Sequence, residues 1–250
     1  MLDWTHERFL TSADEPEPDG FAHKYDELVS RRASREPLAY IVGQREFWGL
    51  RFDVAPGVLI PRPETELIVE TALELMPAER HVAVADVCTG SGCIAVTLAH
   101  ERPLARVVAS DISQAAVDIA RRNAVGHRVA DRVTFAHADL LDGIDGPFDL
   151  IVANPPYIRE YERTLLQREV REHEPHVALF GGPQGLDLIE RLVGQAAARL
   201  EPGGHLIFEF GFGQDVEVED FIAGARHLRL IELRRDLQGI ARLAVASRSS

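Results

Sequence analysis

Apolar and polar residues change their spacing near His81. From there on, short apolar runs alternate with stretches of helical periodicity, which is typical of strands and helices in a mostly parallel sheet. The pattern predicts an α/β fold with a seven-stranded, mostly parallel sheet and helices on both faces. The predicted strands are residues 82–87, 106–110, 133–136, 148–153, 205–210, 228–233 and 241–246. The predicted helices are residues 94–100, 185–200 and 214–223 and one that begins at Ser113. The charged stretch 159–176 predicts a loop.

The chain before His81 shows shorter patterns. Residues 12–20 are acidic and rich in proline, which indicates a linker. Residues 21–35 predict a short helix. Alternation around Gly49 predicts a β-hairpin within residues 47–54.

A further helix is indicated by Pro63, which two glutamates follow closely. Proline in the first turn and acids at the positive end of the helix dipole are typical of a helix start, and we expect the helix to end near Met76. We therefore divide the chain into a short helical segment with a hairpin, residues 1–55, and a larger domain, residues 56–250.

The stretch Asn154-Pro-Pro-Tyr157 directly follows a predicted buried strand. Both prolines have a fixed φ and no N–H, so the backbone here is stiff and offers carbonyl oxygens without donors. Asn154 adds an acceptor and two donors, and Tyr157 adds a flat apolar face with a polar tip. These groups suit a planar ligand that ends in NH2. An ordinary turn at the end of a strand is the alternative.

A second candidate site feature is the turn Cys88-Thr-Gly-Ser-Gly92, between a predicted strand and a helix. Its glycines allow a ligand to approach the backbone, and the free N–H groups of the helix point towards it. Asp111 ends the next strand, where a carboxylate can bind ribose hydroxyls, and Asp139 follows the third strand, where it could reach an exocyclic amine. Each acid alone could be a cap or a turn residue. Together they indicate a nucleoside crevice. The missing pyrophosphate glycine pattern argues against a nicotinamide oxidoreductase.

Composition narrows the class of protein. Of 250 residues, 46% are hydrophobic and 27% are charged, as in ordinary globular proteins. We find neither a membrane-spanning run nor a signal peptide. The formal net charge of −13 argues against binding of nucleic-acid backbones. Cys88 and Cys93 are the only cysteines and no histidines cluster nearby, so we expect reduced thiols, no metal site and a cytoplasmic protein.

These motifs occur in a recognisable order: Asp86-x-x-Thr-Gly-Ser-Gly92, Asp111, Asp139 and Asn154-Pro-Pro-Tyr157. This order resembles the class I S-adenosylmethionine-dependent methyltransferases, which have a Rossmann-like fold. Two further stretches are more specific: Glu36-Pro-Leu-Ala-Tyr-Ile-Val-Gly-Gln-Arg-Glu-Phe-Trp-Gly49 and Val58-Leu-Ile-Pro-Arg-Pro-Glu-Thr-Glu66. They resemble the HemK/PrmC family of protein glutamine methyltransferases, as do tail positions that include Glu209 and Gln214. The resemblance extends from about residue 31 to the C-terminus.

The resemblance implies a cofactor, S-adenosylmethionine, and a role for each motif. The residues implied to bind the cofactor are Cys88, Thr89, Gly90, Ser91, Gly92, Asp111, Asp139, Leu140 and Asn154. The residues implied to bind a substrate glutamine are Asn154, Pro155, Pro156, Tyr157, Arg62 and Glu66. Asn154, Pro155 and Tyr157 are the implied catalytic residues. The side-chain oxygen of Asn154 and the main-chain oxygen of Pro155 would accept the two amide hydrogens of the glutamine, and Tyr157 would pack beside it.

The family's substrate is the glutamine of the Gly-Gly-Gln tripeptide of peptide-chain release factors. We therefore expect a monomeric enzyme that acts on a release factor and binds no nucleic acid stably. Two features depart from the family: only a short stretch precedes Glu36 in place of a longer helical domain, and Cys88 stands where glycine is common. A cysteine there also resembles a sister group that modifies a glutamine of a ribosomal protein.

Two other functions remain open from the sequence. The first is amino methylation of a nucleic-acid base, because a flipped base presents the same planar NH2 group. The second is a methyltransferase-like fold that serves only as a binding partner. The intact glycines of the turn, Asp111 and Asn154 favour an enzyme over this second possibility.

Overall fold

A computed structural model describes residues 8, 11, 12, 15–17 and 19–249. The predicted linker, residues 12–20, lies partly outside the described residues, at positions 13, 14 and 18. The helices, in chain order, are α1 (Phe21–Ala33), α2 (Leu38–Val42), α3 (Glu66–Leu75), α4 (Cys93–Glu101), α5 (Gln114–Gly126), α6 (Arg168–His173), α7 (Asp187–Arg199) and α8 (Asp215–Gly224). The strands are β1 (Gln44–Phe47), β2 (Leu50–Asp53), β3 (Val82–Val87), β4 (Ala105–Asp111), β5 (Val133–His137), β6 (Phe148–Ala153), β7 (Leu200–Glu209), β8 (Leu228–Arg235) and β9 (Ala241–Arg248). None of the described helices has both the length and the apolar character that a membrane span requires.

Strands β3 to β9 form one seven-stranded sheet in the order β5-β4-β3-β6-β7-β9-β8. The first five strands of this order run parallel, and β9 runs antiparallel to both β7 and β8. The predicted mostly parallel α/β sheet is thus confirmed. The strand order reverses at β3. From β3 the chain adds β4 and β5 towards one edge of the sheet, and it then returns to place β6 on the other side of β3. Ligands of open α/β sheets bind at such a switch point, outside the carboxyl ends of the strands.

Two apolar cores cover the two faces of the sheet. Successive residues of β6 alternate between them: Leu150 and Val152 belong to the first core, and Ile151 and Ala153 belong to the second. The first core also contains residues of α3 and α4, and the second contains residues of α7 and α8. A strand that is covered on both faces needs a continuous apolar run, which explains why β6 was predicted with both its ends correct.

The β1–β2 hairpin joins this architecture through two aromatic side chains. Phe47 pairs with Leu50 across the predicted turn, so the prediction of a hairpin is confirmed. Phe47 and Phe52 are both buried in the first core, with ring centroids 6.1 Å apart in an edge-to-face arrangement. The predicted division after residue 55 therefore falls within a continuous core, and the boundary itself stays a prediction.

The prediction of a loop for residues 159–176 is wrong. This stretch contains a 3-10 turn, Glu160–Leu165, and then α6, and a second 3-10 turn, His176–Ala178, begins at its last residue. Ion pairs spaced like Arg168–Glu172, with 2.8 Å between Nε and Oε2, support such short helical turns without creating an apolar periodicity. A bridge between Ile158 and Phe180 brings the two ends of the segment together.

Candidate active site

Two adjoining cavities open at the carboxyl edge of the sheet, beyond the ends of β3, β4 and β6. The first cavity has a volume of about 250 Å³ and reaches the glycine turn after β3. The second cavity has a volume of about 590 Å³ and is lined by residues of the 159–176 segment. The two cavities share a wall that consists of Leu59, Arg62, Asn154, Pro156 and Ala178. Asn154 therefore stands where the contents of both cavities would meet.

The glycine turn and the end of β4 form one side of the first cavity. Asp111 lines this cavity. Its Oδ2 accepts a hydrogen bond from the Gly90 amide of the turn at 2.8 Å, and its Oδ1 accepts one from the Ser113 amide at 2.9 Å. Burial raises the pKa of Asp111. A carboxylate oxygen has two lone-pair directions, so both oxygens keep capacity for a ligand.

Four of the five predicted turn residues line the first cavity: Cys88, Thr89, Gly90 and Ser91. Gly92 does not. It lies at the start of α4 with φ of 79°, and a Cβ there would come within 2.9 Å of the Ala120 Cβ on α5. Glycine at this position therefore meets a packing requirement between two helices.

Beneath the turn, Asp86 is fully buried at the end of β3. Its Oδ2 accepts hydrogen bonds from the Thr89 hydroxyl at 2.6 Å and the Ala95 amide at 3.1 Å. Burial raises the pKa of Asp86 to about 7. These bonds fasten the turn to the first residues of α4, a role that the sequence analysis did not assign to this acid.

The part of the first cavity that is predicted to border the adenine contains a charged residue besides Asp139. Asp139 and Leu140 line the first cavity, and so does Arg191 of α7. The Arg191 guanidinium donates to Asp139 Oδ2 at 2.8 Å, so that oxygen is already engaged. Leu140 has a φ of 52°, and its carbonyl accepts a hydrogen bond from the Ser110 hydroxyl at 2.8 Å. Sequence reasoning missed Arg191 because no local pattern connects it to Asp139.

On the wall between the cavities, Asn154 takes part in a chain of side-chain hydrogen bonds. Its Nδ2 donates to Thr65 Oγ1 at 2.9 Å, and the Thr65 hydroxyl donates to Glu209 Oε2 at 2.9 Å. The Tyr157 hydroxyl donates to Glu209 Oε1 at 2.7 Å. Burial is the main cause that raises the pKa of both Glu209 and Tyr157. Thr65 lies in a stretch that resembles the family and Glu209 is one of the shared tail positions, but the sequence predicts no hydrogen-bonding role for either side chain.

The segment before α3 is held against the site by a buried acid, Glu174. Its Oε1 accepts from the Arg62 guanidinium at 2.6 Å, and its Oε2 accepts from the Ile60 amide at 3.2 Å. Arg62 lines both cavities. Glu66, by contrast, lines neither cavity, and its Oε1 accepts a hydrogen bond from the Trp48 amide in the hairpin at 2.8 Å. The structure thus brings Arg62 to the predicted substrate site and directs Glu66 away from it.

The remaining predicted substrate residues divide between the two cavities. Pro156 contributes to the shared wall, whereas Pro155 and Tyr157 line only the second cavity. Tyr157 is half-buried, and its hydroxyl donates to Glu209 at the end of β7. The second cavity also contains Arg242 of β9, a cation that the sequence analysis did not single out.

Family models match two parts of this chain. The methyltransferase small domain matches residues 65–177, and the PrmC N-terminal domain matches residues 1–43. The second match extends the likeness to the PrmC family beyond the start expected near residue 31.

Comparisons with individual relatives over most of the chain agree with these matches. A relative from Koribacter versatilis, described as a release factor glutamine methyltransferase, is 46% identical over 224 residues, which cover 89% of this chain and 78% of the relative. A relative of the same description from Neisseria gonorrhoeae is 43% identical over 249 residues and covers 98% of this chain and 89% of its own.

Solved structures support the fold. A methyltransferase from Pyrococcus furiosus has a TM-score of 0.61 at 16% identity and covers 92% of this chain and 100% of its own. The 16S rRNA N2 G1207 methyltransferase of Thermus thermophilus, solved with AdoMet and guanosine, has a TM-score of 0.57 at 22% identity and covers 83% of this chain and 49% of its own. At these identities the likeness establishes a class I methyltransferase fold and nothing more specific.

Proposed function

The chain belongs to the family of release factor glutamine methyltransferases and is a methyltransferase, and from this premise we propose that it methylates the side-chain amide nitrogen of a protein glutamine with S-adenosylmethionine as the donor. The substrate we propose is the glutamine of the Gly-Gly-Gln tripeptide of a peptide-chain release factor, as the names of the relatives suggest. The proposed setting is the cytoplasm, where translation takes place.

The residues of the first cavity fit S-adenosylmethionine. Gly90 has a φ of 56°, and a Cβ there would meet no atom within 4 Å, so the backbone of the turn is open to close approach. The Asp111 carboxylate is oriented by two backbone amides and can still accept from a pair of ribose hydroxyls. Asp139 and Leu140 would border the adenine. When bound, this cofactor supplies a methyl group on a positively charged sulfur, which is an activated donor.

The observation that carries the proposal is the orientation of the Asn154 amide. Its Nδ2 is engaged by Thr65, so its Oδ1 is the group that remains to accept from a ligand in the adjoining cavities. A substrate amide presents two N–H bonds in one plane. We assign one of these N–H bonds to Asn154 Oδ1 and the other to the main-chain oxygen of Pro155. Proline has no N–H, so Pro155 adds an acceptor without a competing donor.

These two acceptors would compensate for the low nucleophilicity of the substrate nitrogen. An amide nitrogen is a poor nucleophile because its lone pair is delocalised into the carbonyl group. Acceptors that fix both N–H bonds orient the nitrogen and stabilise the positive charge that develops on it. The bond from the nitrogen to the methyl carbon would form as the bond from that carbon to sulfur breaks. One of the two N–H hydrogens would leave as a proton to water, and the product would be a secondary amide. Tyr157 would cover the substrate from the second cavity, and Arg62 would help to close the wall.

The test is transfer of a labelled methyl group from S-adenosylmethionine to purified release factor. The control substrate is the same release factor with Gly-Gly-Gln changed to Gly-Gly-Ala. We expect label on the first protein and none on the second. Label on both would contradict glutamine methylation at this site. Label that appears only on a ribosomal protein or on nucleic acid, offered in parallel, would replace the release factor by that substrate.

A further inference from the structure

Four side chains between β7 and the shared wall form a continuous hydrogen-bonded chain, and two of them have no role in the proposed reaction so far. Glu209 and Thr65 are 3% and 2% exposed, respectively, so neither relies on solvent for its hydrogen bonds. Glu209 accepts from Thr65 and from Tyr157, and Thr65 accepts from Asn154. Buried polar groups that are all partnered hold one another in a single arrangement.

The direction of these hydrogen bonds follows from the charge of Glu209. An ionised carboxylate can only accept hydrogen bonds, so the Thr65 hydroxyl must donate its single hydrogen to Glu209. Towards Asn154, the Thr65 oxygen can then only accept, and this selects the NH2 end of the Asn154 amide. The amide oxygen must therefore lie on the other side.

A protonated Glu209 would remove this selection. It could donate to the Thr65 oxygen, and the Thr65 hydrogen would then be free to turn towards Asn154. The Asn154 amide could rotate and accept that hydrogen with its oxygen. Its NH2 group would then face the NH2 group of a substrate amide, where two sets of donors oppose each other.

We propose that Thr65 and Glu209 are positioning residues, in which the Glu209 carboxylate acts through the Thr65 hydroxyl to hold the Asn154 oxygen towards the substrate nitrogen. This inference rests on the proposed function, since it needs Asn154 to accept from an amide. It adds a reason why an acid lies buried in the wall of a site whose chemistry needs no acid of its own.

The groups that face Glu209 come from three parts of the chain, among them the 3-10 turn Pro63–Thr65. Thr65 and Glu64 belong to the 3-10 turn before α3, Tyr157 follows β6, and Arg242 comes from β9. Burial and Glu64 raise the pKa of Glu209, whereas the bonds from Tyr157 and Thr65 and the charge of Arg242 lower it. Because burial prevails, the carboxylate becomes protonated at a pH above the usual range of a glutamate.

The decisive variants differ in whether they keep the hydroxyl group. Thr65→Val keeps the branched shape and removes the hydroxyl, while Thr65→Ser keeps the hydroxyl and removes a methyl group. With release factor and cofactor both saturating, we expect Thr65→Val to lower kcat by about 10- to 100-fold and Thr65→Ser to stay within a few-fold of the unchanged enzyme. The cofactor Kd from calorimetry and the KM for release factor should change little in both.

A pH profile separates positioning from simple structural support. In the unchanged enzyme, kcat should fall at acid pH with an apparent pKa above that of an ordinary glutamate. Glu209→Gln has no ionisation at this position, and in Thr65→Val the ionisation is no longer transmitted, so this acid limb should be absent from both. Circular dichroism and thermal melting of each variant would check that it is folded.

Two outcomes would overturn the inference: equal kcat for Thr65→Val and Thr65→Ser, or an unchanged acid limb in a folded Glu209→Gln enzyme. Failure of the proposed function looks different. In that case the unchanged enzyme would not label release factor, or Asn154→Ala would transfer methyl groups as fast as the unchanged enzyme.

Discussion

A side-chain amide can present either an acceptor or a donor, so the neighbours of Asn154 determine its chemistry. Thr65 engages the nitrogen, and this leaves the oxygen for a ligand. Asp111 shows a related arrangement, in which two backbone amides hold the carboxylate across the glycine turn. At the scale of single residues, we propose one main partner for each of these two side chains: the substrate for Asn154 and the cofactor for Asp111.

For Asn154, this division predicts a loss of catalysis without a loss of cofactor affinity. Asn154→Ala should lower the rate of methyl transfer to release factor by about 100-fold or more, because it removes an acceptor that stabilises developing charge. Calorimetry should give a cofactor Kd within a few-fold of the unchanged enzyme. Equal losses of turnover and cofactor affinity would contradict the assignment.

For Asp111, the opposite result is expected. Asp111→Ala should weaken binding of S-adenosylmethionine by about 10- to 100-fold, the effect of losing charge-assisted hydrogen bonds to the ribose. The matched control is Asp118→Ala, which removes an equal charge from the exposed side of α5. Calorimetry on both variants checks the prediction, and equal affinities would show that Asp111 does not bind the cofactor.

The site residues that the sequence analysis found and those it missed differ in the range of their contacts. Asp111 and Asn154 follow predicted strands directly, so a local pattern points to them. Arg191 reaches Asp139 across 52 positions, and Glu174 reaches Arg62 across 112. Such pairs arise only when distant elements pack together, and a single sequence contains no local signal for them.

At the scale of elements, the accuracy of the predicted bounds depends on what ends each element. β3 and β6 match their predictions at both ends, since their apolar runs stop at the glycine turn and at Asn154. β7 begins at Leu200, before the predicted residue 205, because the chain already pairs with Phe148 there and continues after an irregularity in register. A pairing partner across the sheet fixed this start, and the sequence of the strand itself does not reveal it.

The close packing of α4 on α5 gives a prediction at this scale. Gly92→Ala should lower the free energy of unfolding by about 1–3 kcal/mol more than Gly143→Ala does. Both glycines have positive φ, 79° and 71°, so both substitutions impose backbone strain. Only at Gly92 would the new Cβ also meet the Ala120 side chain, whereas at Gly143 it meets nothing within 4 Å.

Urea unfolding of the two variants measures this difference. If Gly143→Ala destabilises the protein as much as Gly92→Ala, the strain of the backbone accounts for the whole effect. The approach of the two helices would then not be the reason for a glycine at position 92.

At the scale of the whole molecule, the hairpin and the sheet share one core, so they should unfold together. Phe52→Ala should lower the free energy of unfolding by about 3–5 kcal/mol, because the ring is fully buried. The chain has two tryptophans, Trp4 and Trp48, and Trp48 lies in the hairpin turn. In a Trp4→Phe background, Trp48 fluorescence reports on the hairpin and far-ultraviolet circular dichroism reports on the sheet. The two unfolding curves should coincide with and without Phe52→Ala, and a separate early transition of Trp48 would show that the hairpin is an independent unit.

The two adjoining cavities have a consequence for the order of events in a catalytic cycle. The two cavities have separate linings apart from the five residues of the shared wall, so donor and acceptor would occupy different places. The small donor and the protein acceptor can then bind in either sequence, and the spent donor can depart while the methylated protein is still attached. Steady-state rates should show a random sequential pattern, with the demethylated donor competing only against the donor itself.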